Sequence, residues 1–144
     1  MRCGSRALRL YWGIKALNVI YIDDDATNRA VLCDMVASAG LSITDAPDAK
    51  TGLKAIKDGS FDLVLMDLRM PEVSGLTAIR QLRADSGSAA QHHIVVVTAD
   101  ITPGVRDMCQ SAGADDFLEK PVSMTKLFDV IAAVMVKKPH LQIN

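Results

Sequence analysis

From residue 18 onward the chain alternates short, almost wholly apolar runs with longer stretches in which apolar positions recur at helical spacing. Five runs stand out: Asn18–Asp23, Leu41–Ala46, Phe61–Asp67, His93–Thr98 and Asp116–Glu119. The third, FDLVLMD, and the fourth, HIVVVT, carry little polar character. A half-exposed strand would alternate, so these two read as central strands of a parallel sheet covered on both faces. Helical stretches near Thr27–Ala39, Asp48–Asp58, Ser74–Ala84, Pro103–Ala112 and Ser123–Val136 follow the runs one for one. Gly40, Gly59 and Gly113 stand where left-handed C-terminal caps are expected. Asp48 and Ser123 stand where a side chain would cap the first amides, and Pro103 suits a first helical turn.

Five consecutive strand–helix units predict an α/β fold, (βα)5, built on a doubly wound five-stranded parallel sheet. Crossovers of one hand put helices on both faces and bring every strand C-terminus to one rim. A site is expected on that rim. The flavodoxin-like strand order 2-1-3-4-5 is adopted by analogy.

A length of 144 residues, 49% of them apolar, suits one core. Charge divides the chain: residues 1–17 hold Arg2, Arg6, Arg9 and Lys15 with no acid, a local +4 within a net charge of −1, which leaves −5 for the rest. Residues 1–17 therefore read as a basic tail or linker, 18–138 as the domain and 139–144 as a short C-terminal tail. An acidic body with few aromatics lacks the basic face of a nucleic-acid binder, and no direct nucleic-acid contact is expected. Cys3, Cys33 and Cys109 have neither CxxC nor Cys/His ligand spacing and read as reduced thiols or small core residues of a cytoplasmic protein. No apolar run approaches the ~20 residues that span a bilayer, and Arg9 and Lys15 interrupt the only signal-peptide-like stretch.

The chemistry gathers at strand ends. Asp23, Asp24 and Asp25 follow the first apolar run, and LVLMD delivers Asp67 to the same rim if the first and third strands are neighbours. Carboxylates converging from adjacent strands make an oxygen-rich site for a hard cation such as Mg²⁺. Asp25 has an alternative use as a helix cap, since aspartate is common in turns and at N-caps. The fourth strand ends in Thr98, a hydroxyl donor to an anion, and the fifth ends beside Lys120, an ammonium for a carboxylate or phosphoryl oxygen. Nucleophilic carboxylate, cation and donors together suit an in-line phosphoryl transfer. A plain strand terminus and a solvated surface charge are the alternative readings of Thr98 and Lys120 taken singly.

The segments VIYIDDDATNR, LVLMDLRMPEVSG, VVVTAD and ADDFLEKP resemble, in order and spacing, the four signature segments of two-component receiver domains. The resemblance covers residues 18–136 or so. It implies that Asp67 is the phosphoacceptor and that Asp23, Asp24, Asp67 and the backbone carbonyl of Arg69 hold Mg²⁺, or Mn²⁺ in its place. It implies that Thr98 and Lys120 bind the phosphoryl group, that Phe117 is the switch aromatic, and that the Lys120–Pro121 peptide is cis. Phe117 has no hydroxyl to desolvate, so an inward position before phosphorylation is expected. The Arg69 side chain stands where the family tunes the lifetime of the aspartyl phosphate, and Ala99 leaves room for a phosphohistidine donor.

The function implied is that of a signalling phosphoacceptor in a phosphorelay, catalysing its own phosphorylation and dephosphorylation. Its partners would be a histidine kinase or a histidine phosphotransfer protein, and the face of the fourth helix, fifth strand and fifth helix would carry a homodimer or effector. No effector segment follows residue 138, so the chain reads as a stand-alone regulator or as the receiver of a hybrid histidine kinase, whose style DDDATNR and CQSAGADDFLEKP resemble; in the second case the parent is a kinase. His92–His93 at a strand entrance and His140 in the tail show no sign of being internal donors. A haloacid-dehalogenase-like phosphatase needs a second Asp where Arg69 stands, and P-loop and dinucleotide motifs are absent. A degenerate receiver acting only as an interaction module is opposed by the joint presence of Asp23, Asp24, Asp67, Thr98 and Lys120.

Overall fold

A computed structural model of the chain describes residues 2–3, 15–85, 92–137 and 141–142. Five strands, β1 (Asn18–Ile22), β2 (Ser42–Ala46), β3 (Leu63–Asp67), β4 (His93–Thr98) and β5 (Asp116–Glu119), alternate with five helices. These are α1 (Ala26–Ser38), α2 (Ala49–Asp58), α3 (Gly75–Ala84), α4 (Val105–Ala112) and α5 (Met124–Lys137). The five strands pair in parallel in the order β2-β1-β3-β4-β5.

Every residue of β1, β3 and β4 is buried, and their side chains divide by parity, as strand geometry requires. Val19, Tyr21, Leu63, Leu65, Val95 and Val97 pack against α1 and α5, where Leu32, Val36, Leu127 and Ile131 meet them. Ile20, Ile22, Val64, Met66, Ile94 and Val96 face α2, α3 and α4. Helices thus cover both faces, and neither face of the central strands carries polar alternation.

Local chemistry explains most element ends. Asp48 accepts the Thr51 amide at the start of α2, and Ser123 accepts the Lys126 amide at the start of α5. Gly40 and Gly113 adopt φ of 80° and 117° after α1 and α4. Gly59 differs: it closes α2 in an extended conformation, φ −115° and ψ −168°, so no left-handed cap exists there. Pro103 also lies outside its helix. Gly104 takes φ 91° and turns the chain, so α4 begins only at Val105.

One addition concerns the sheet. Arg2–Cys3 pairs antiparallel with Ile43–Thr44 along the free edge of β2, a sixth strand beyond the five expected. Lys15–Ala16 pairs in parallel with Leu141–Gln142. The remainder of the basic segment, residues 1 and 4–14, lies outside the described residues, as do 86–91, 138–140 and 143–144. Among the described residues no helix is long and apolar enough to cross a membrane, and Cys33 and Cys109 are buried.

Candidate functional site

The register sets the rim. Ile22 pairs with Met66, Asp67 with Val97 and Thr98 with Glu119. Asp23, Asp67, Thr98 and Lys120 therefore leave their strands at one level. The loop after β3 is tight: the Gly75 amide donates to the Leu68 carbonyl at 2.9 Å. A Cβ on Gly75 would lie 2.0 Å from the carbonyl oxygen of Asp67, so the start of α3 can approach the end of β3 only as glycine.

Carboxylate oxygens of Asp23, Asp24 and Asp67 lie within 4.8 Å of one another; Asp23 and Asp67 are buried and Asp24 is exposed. Lys120 Nζ bridges the buried pair, 2.8 Å from Asp23 Oδ2 and 3.3 Å from Asp67 Oδ1. Burial pushes Asp23 upward, but hydrogen bonds from Lys120, Tyr21 and the Asp25 amide outweigh it and hold the group below the usual carboxylate range. Asp67 goes the other way. Burial, then the charge of Asp23, push it up to about 6 against the opposing pull of Lys120. Burial alone would lower Lys120, yet its bond to Asp23 and the charge of Asp67 raise it, so it remains a cation.

Three acids against one ammonium leave local negative charge uncompensated, which adds to burial in raising Asp67. An all-oxygen set with surplus negative charge fits a hard divalent cation rather than a soft one. Among the described residues this is the one cluster of three acid, His or Cys side chains whose ligand atoms converge.

The other predicted residues stand around this centre at different removes. Thr98 is buried, and its Oγ1 accepts the Asp100 amide at 3.1 Å. The Lys120 amide donates to the Thr98 carbonyl at 2.9 Å, tying the last two strand ends together. The Lys120–Pro121 peptide is cis. The Arg69 side chain, 76% exposed, forks onto Asp100 Oδ2 through both Nε and Nη2. Asp100 is held down at about 2 by hydrogen bonds from Thr102 and then from Arg69. Phe117 is half-buried against the α2–α4 face, and the guanidinium of Arg106 stands 5.4 Å from its ring centroid.

Three residues that sequence reasoning left without a role also bear on the site. Tyr21 donates its hydroxyl to Asp23 Oδ2. Arg29 donates through Nη1 to the Asp23 carbonyl at 2.8 Å and through Nε to Asp45 at 3.0 Å. Asp100 links the Thr98 hydroxyl to Arg69. Only Tyr21 had a readable signal: it lies two residues before Asp23 on a strand, hence on the same face. Asp25 is the helix cap, accepting the Thr27 and Asn28 amides.

Comparison with known proteins bears on the same residues. The family model described as response regulator receiver domain matches residues 19–132. The chain is 34% identical over 129 residues to the sensory/regulatory protein RpfC of Xanthomonas campestris pv. campestris, covering 89% of this chain and 18% of RpfC. It is 34% identical over 122 residues to the two-component response regulator ORR41 of Oryza sativa subsp. japonica, covering 82% of this chain and 94% of ORR41. The chain thus spans under a fifth of RpfC and nearly all of ORR41. Among solved structures, the receiver domain of sensor histidine kinase PA1611 from Pseudomonas aeruginosa PAO1, with a magnesium ion coordinated in its active site cleft, aligns with TM-score 0.77 and 26% identity. That alignment covers 84% of this chain and 98% of the other. The chemotaxis protein CheY4 of Vibrio cholerae shares the fold at TM-score 0.77 and 23% identity, over 83% of this chain and 98% of CheY4.

Proposed function

The chain belongs to the response regulator receiver domain family, and from that premise we propose that it accepts a phosphoryl group from a phosphohistidine onto Asp67 in a Mg²⁺-dependent reaction. The observation that carries this reading is the convergence of Asp23, Asp24 and Asp67 with Lys120 bridging two of them. Asp23, Asp24, Asp67 and the Arg69 carbonyl would hold the metal, Mg²⁺ or Mn²⁺. When bound, the cation offsets the charge on the transferring phosphoryl group.

An Asp67 carboxylate oxygen attacks phosphorus as the P–N bond of the donor breaks. The imidazole nitrogen leaves with the bonding pair and takes a proton from solvent, and an acyl phosphate results. Lys120 exchanges its contact with the Asp67 carboxylate for one with the phosphoryl oxygens. The Thr98 hydroxyl, now accepting from Asp100, rotates to donate to the new anion, and the β4–α4 loop follows it. Repacking of Phe117 then alters the face of α4, β5 and α5, where a groove lined by Arg106, Asp116, Phe117, Glu119, Lys126 and Asp129 offers charges of both signs to a second copy or an effector.

The donors proposed are a histidine kinase or a histidine phosphotransfer protein, in the cytoplasm, without direct contact to nucleic acid or membrane. Residues 18–138 form the proposed receiver. Similarity to only 18% of RpfC supports a longer parent, such as a hybrid histidine kinase, and similarity to nearly all of ORR41 supports a separate regulator. The decisive measurement is incubation with Mg²⁺ and acetyl phosphate or beryllofluoride. With acetyl phosphate, wild type should gain a hydroxylamine-labile acyl phosphate that Asp67→Asn does not; with beryllofluoride, wild type alone should change around Thr98. Equal behaviour of the two proteins would sink the assignment.

A further inference from the structure

Tyr21 and Asp23 leave the same face of β1, and the Tyr21 ring is buried among the side chains of the α1/α5 cluster. Phenylalanine would fill that space and leave no hydroxyl to satisfy in the core. The hydroxyl instead donates to Asp23 Oδ2, the oxygen that Lys120 Nζ also reaches, while Asp23 Oδ1 accepts the Asp25 amide at 2.9 Å. Both oxygens of one buried carboxylate are thereby held by donors from β1, from the β1–α1 turn and from the end of β5.

These donors are not equivalent. Lys120 is the one that must turn toward a phosphoryl group, and the Asp25 amide holds only the other oxygen. We propose that Tyr21 is a positioning residue for the metal-binding carboxylate of Asp23, its hydroxyl keeping Oδ2 in place when Lys120 leaves it. The inference rests on the phosphoacceptor reading and adds to it a residue outside the signature acids. A phenol is protonated at neutral pH, so the hydroxyl stays a donor there. A partner of this kind, one shell removed from the cation, sets ligand orientation, and its loss characteristically weakens metal affinity by about 10–100-fold.

The test is calorimetric titration of Mg²⁺ into wild type, Tyr21→Phe and Tyr21→Leu, with Tm of each measured in EDTA and acetyl phosphate labelling followed against Mg²⁺ concentration. Tyr21→Phe should keep a cooperative melt, bind Mg²⁺ roughly tenfold more weakly, and recover wild-type labelling at saturating Mg²⁺. Tyr21→Leu should show the same loss of affinity with a larger fall in Tm, because it also removes the ring. The inference is overturned if Tyr21→Phe binds Mg²⁺ as wild type does, or if its labelling defect persists at saturating Mg²⁺. Wild type that neither binds Mg²⁺ nor takes label would overturn the phosphoacceptor reading itself, a result distinguishable from either.

Discussion

Asp67 carries a cost that its neighbours only partly offset. A carboxyl raised to about 6 by burial and by Asp23 destabilises the fold when it ionises. The stability it contributes is full below about pH 4, its unfolded range, and is lost as pH rises through about 6. In EDTA at pH 7, Asp67→Asn should therefore melt higher than wild type, by on the order of 1–3 kcal/mol or several degrees. The advantage should shrink as pH falls from 6 toward 4, and scanning calorimetry across that range checks it. Arg69 works on the opposite side of the site. Its fork onto Asp100 spans the loops that follow β3 and β4, close to the acceptor and to the Thr98 hydroxyl. On the proposed reading, in which this fork shields the Asp67 phosphate from water, Arg69→Ala should shorten the aspartyl phosphate lifetime. A few-fold change is the scale of a solvent-screened ion pair, and Asp100→Asn should act in the same direction, both read from the decay of hydroxylamine-labile label. The acids, Thr98 and Lys120 were legible in the sequence because each ends an apolar run. Asp100 was not, since its worth depends on a loop-to-loop distance that no local pattern encodes. Tyr21 was legible only through its two-residue spacing from Asp23, since among apolar neighbours a tyrosine reads first as core.

At the scale of elements, the strands were the most readable feature because they are buried on both sides and their runs stop where polarity starts. Boundaries drifted where backbone conformation overrode residue preference. Gly104 turns left-handed and so detaches Pro103 from α4, and Gly59 ends α2 extended although its residue type suits the opposite hand. Gly75 shows the reverse: no local pattern singles it out, yet packing demands it. Gly75→Ala forces a methyl into the Asp67 carbonyl at 2.0 Å, and the backbone of β3 and that of α3 cannot both stay in place. The substitution should lower stability by about 1–3 kcal/mol, the usual scale of overpacking, and should reduce labelling of Asp67 even at saturating Mg²⁺. Leu65→Ala, on the same strand but pointing into the α1/α5 core, should cost about 2–5 kcal/mol while leaving labelling of the folded fraction intact. Chemical melts paired with labelling separate the two effects, one on the site and one on the scaffold.

For the whole molecule, the question is how charge at one rim alters a surface beyond it. The acceptor end of β3, the Thr98 end of β4 and the Lys120 end of β5 are joined by backbone register and by the bond from the Lys120 amide to the Thr98 carbonyl. Displacement of Thr98 is therefore felt on β5, where Phe117 sits between the interior and Arg106. A cation over an aromatic face at an exposed site is worth about 0.5–1 kcal/mol, and that energy favours the half-buried ring over an inward one. On the proposed switch, Arg106 would act as a counterweight. Because 1 kcal/mol shifts a two-state population about fivefold, Arg106→Ala should raise the inward fraction of Phe117 before phosphorylation, by about two- to fivefold. The same substitution should lower the beryllofluoride concentration needed to complete the change. A fluorine label on Phe117 resolves the two ring environments by NMR, and amide exchange in α4 and β5 reports the surface. Identical spectra for wild type and Arg106→Ala, with and without beryllofluoride, would show that Arg106 has no hold on the ring and that the coupling from Thr98 to the α4–β5–α5 face runs by another route.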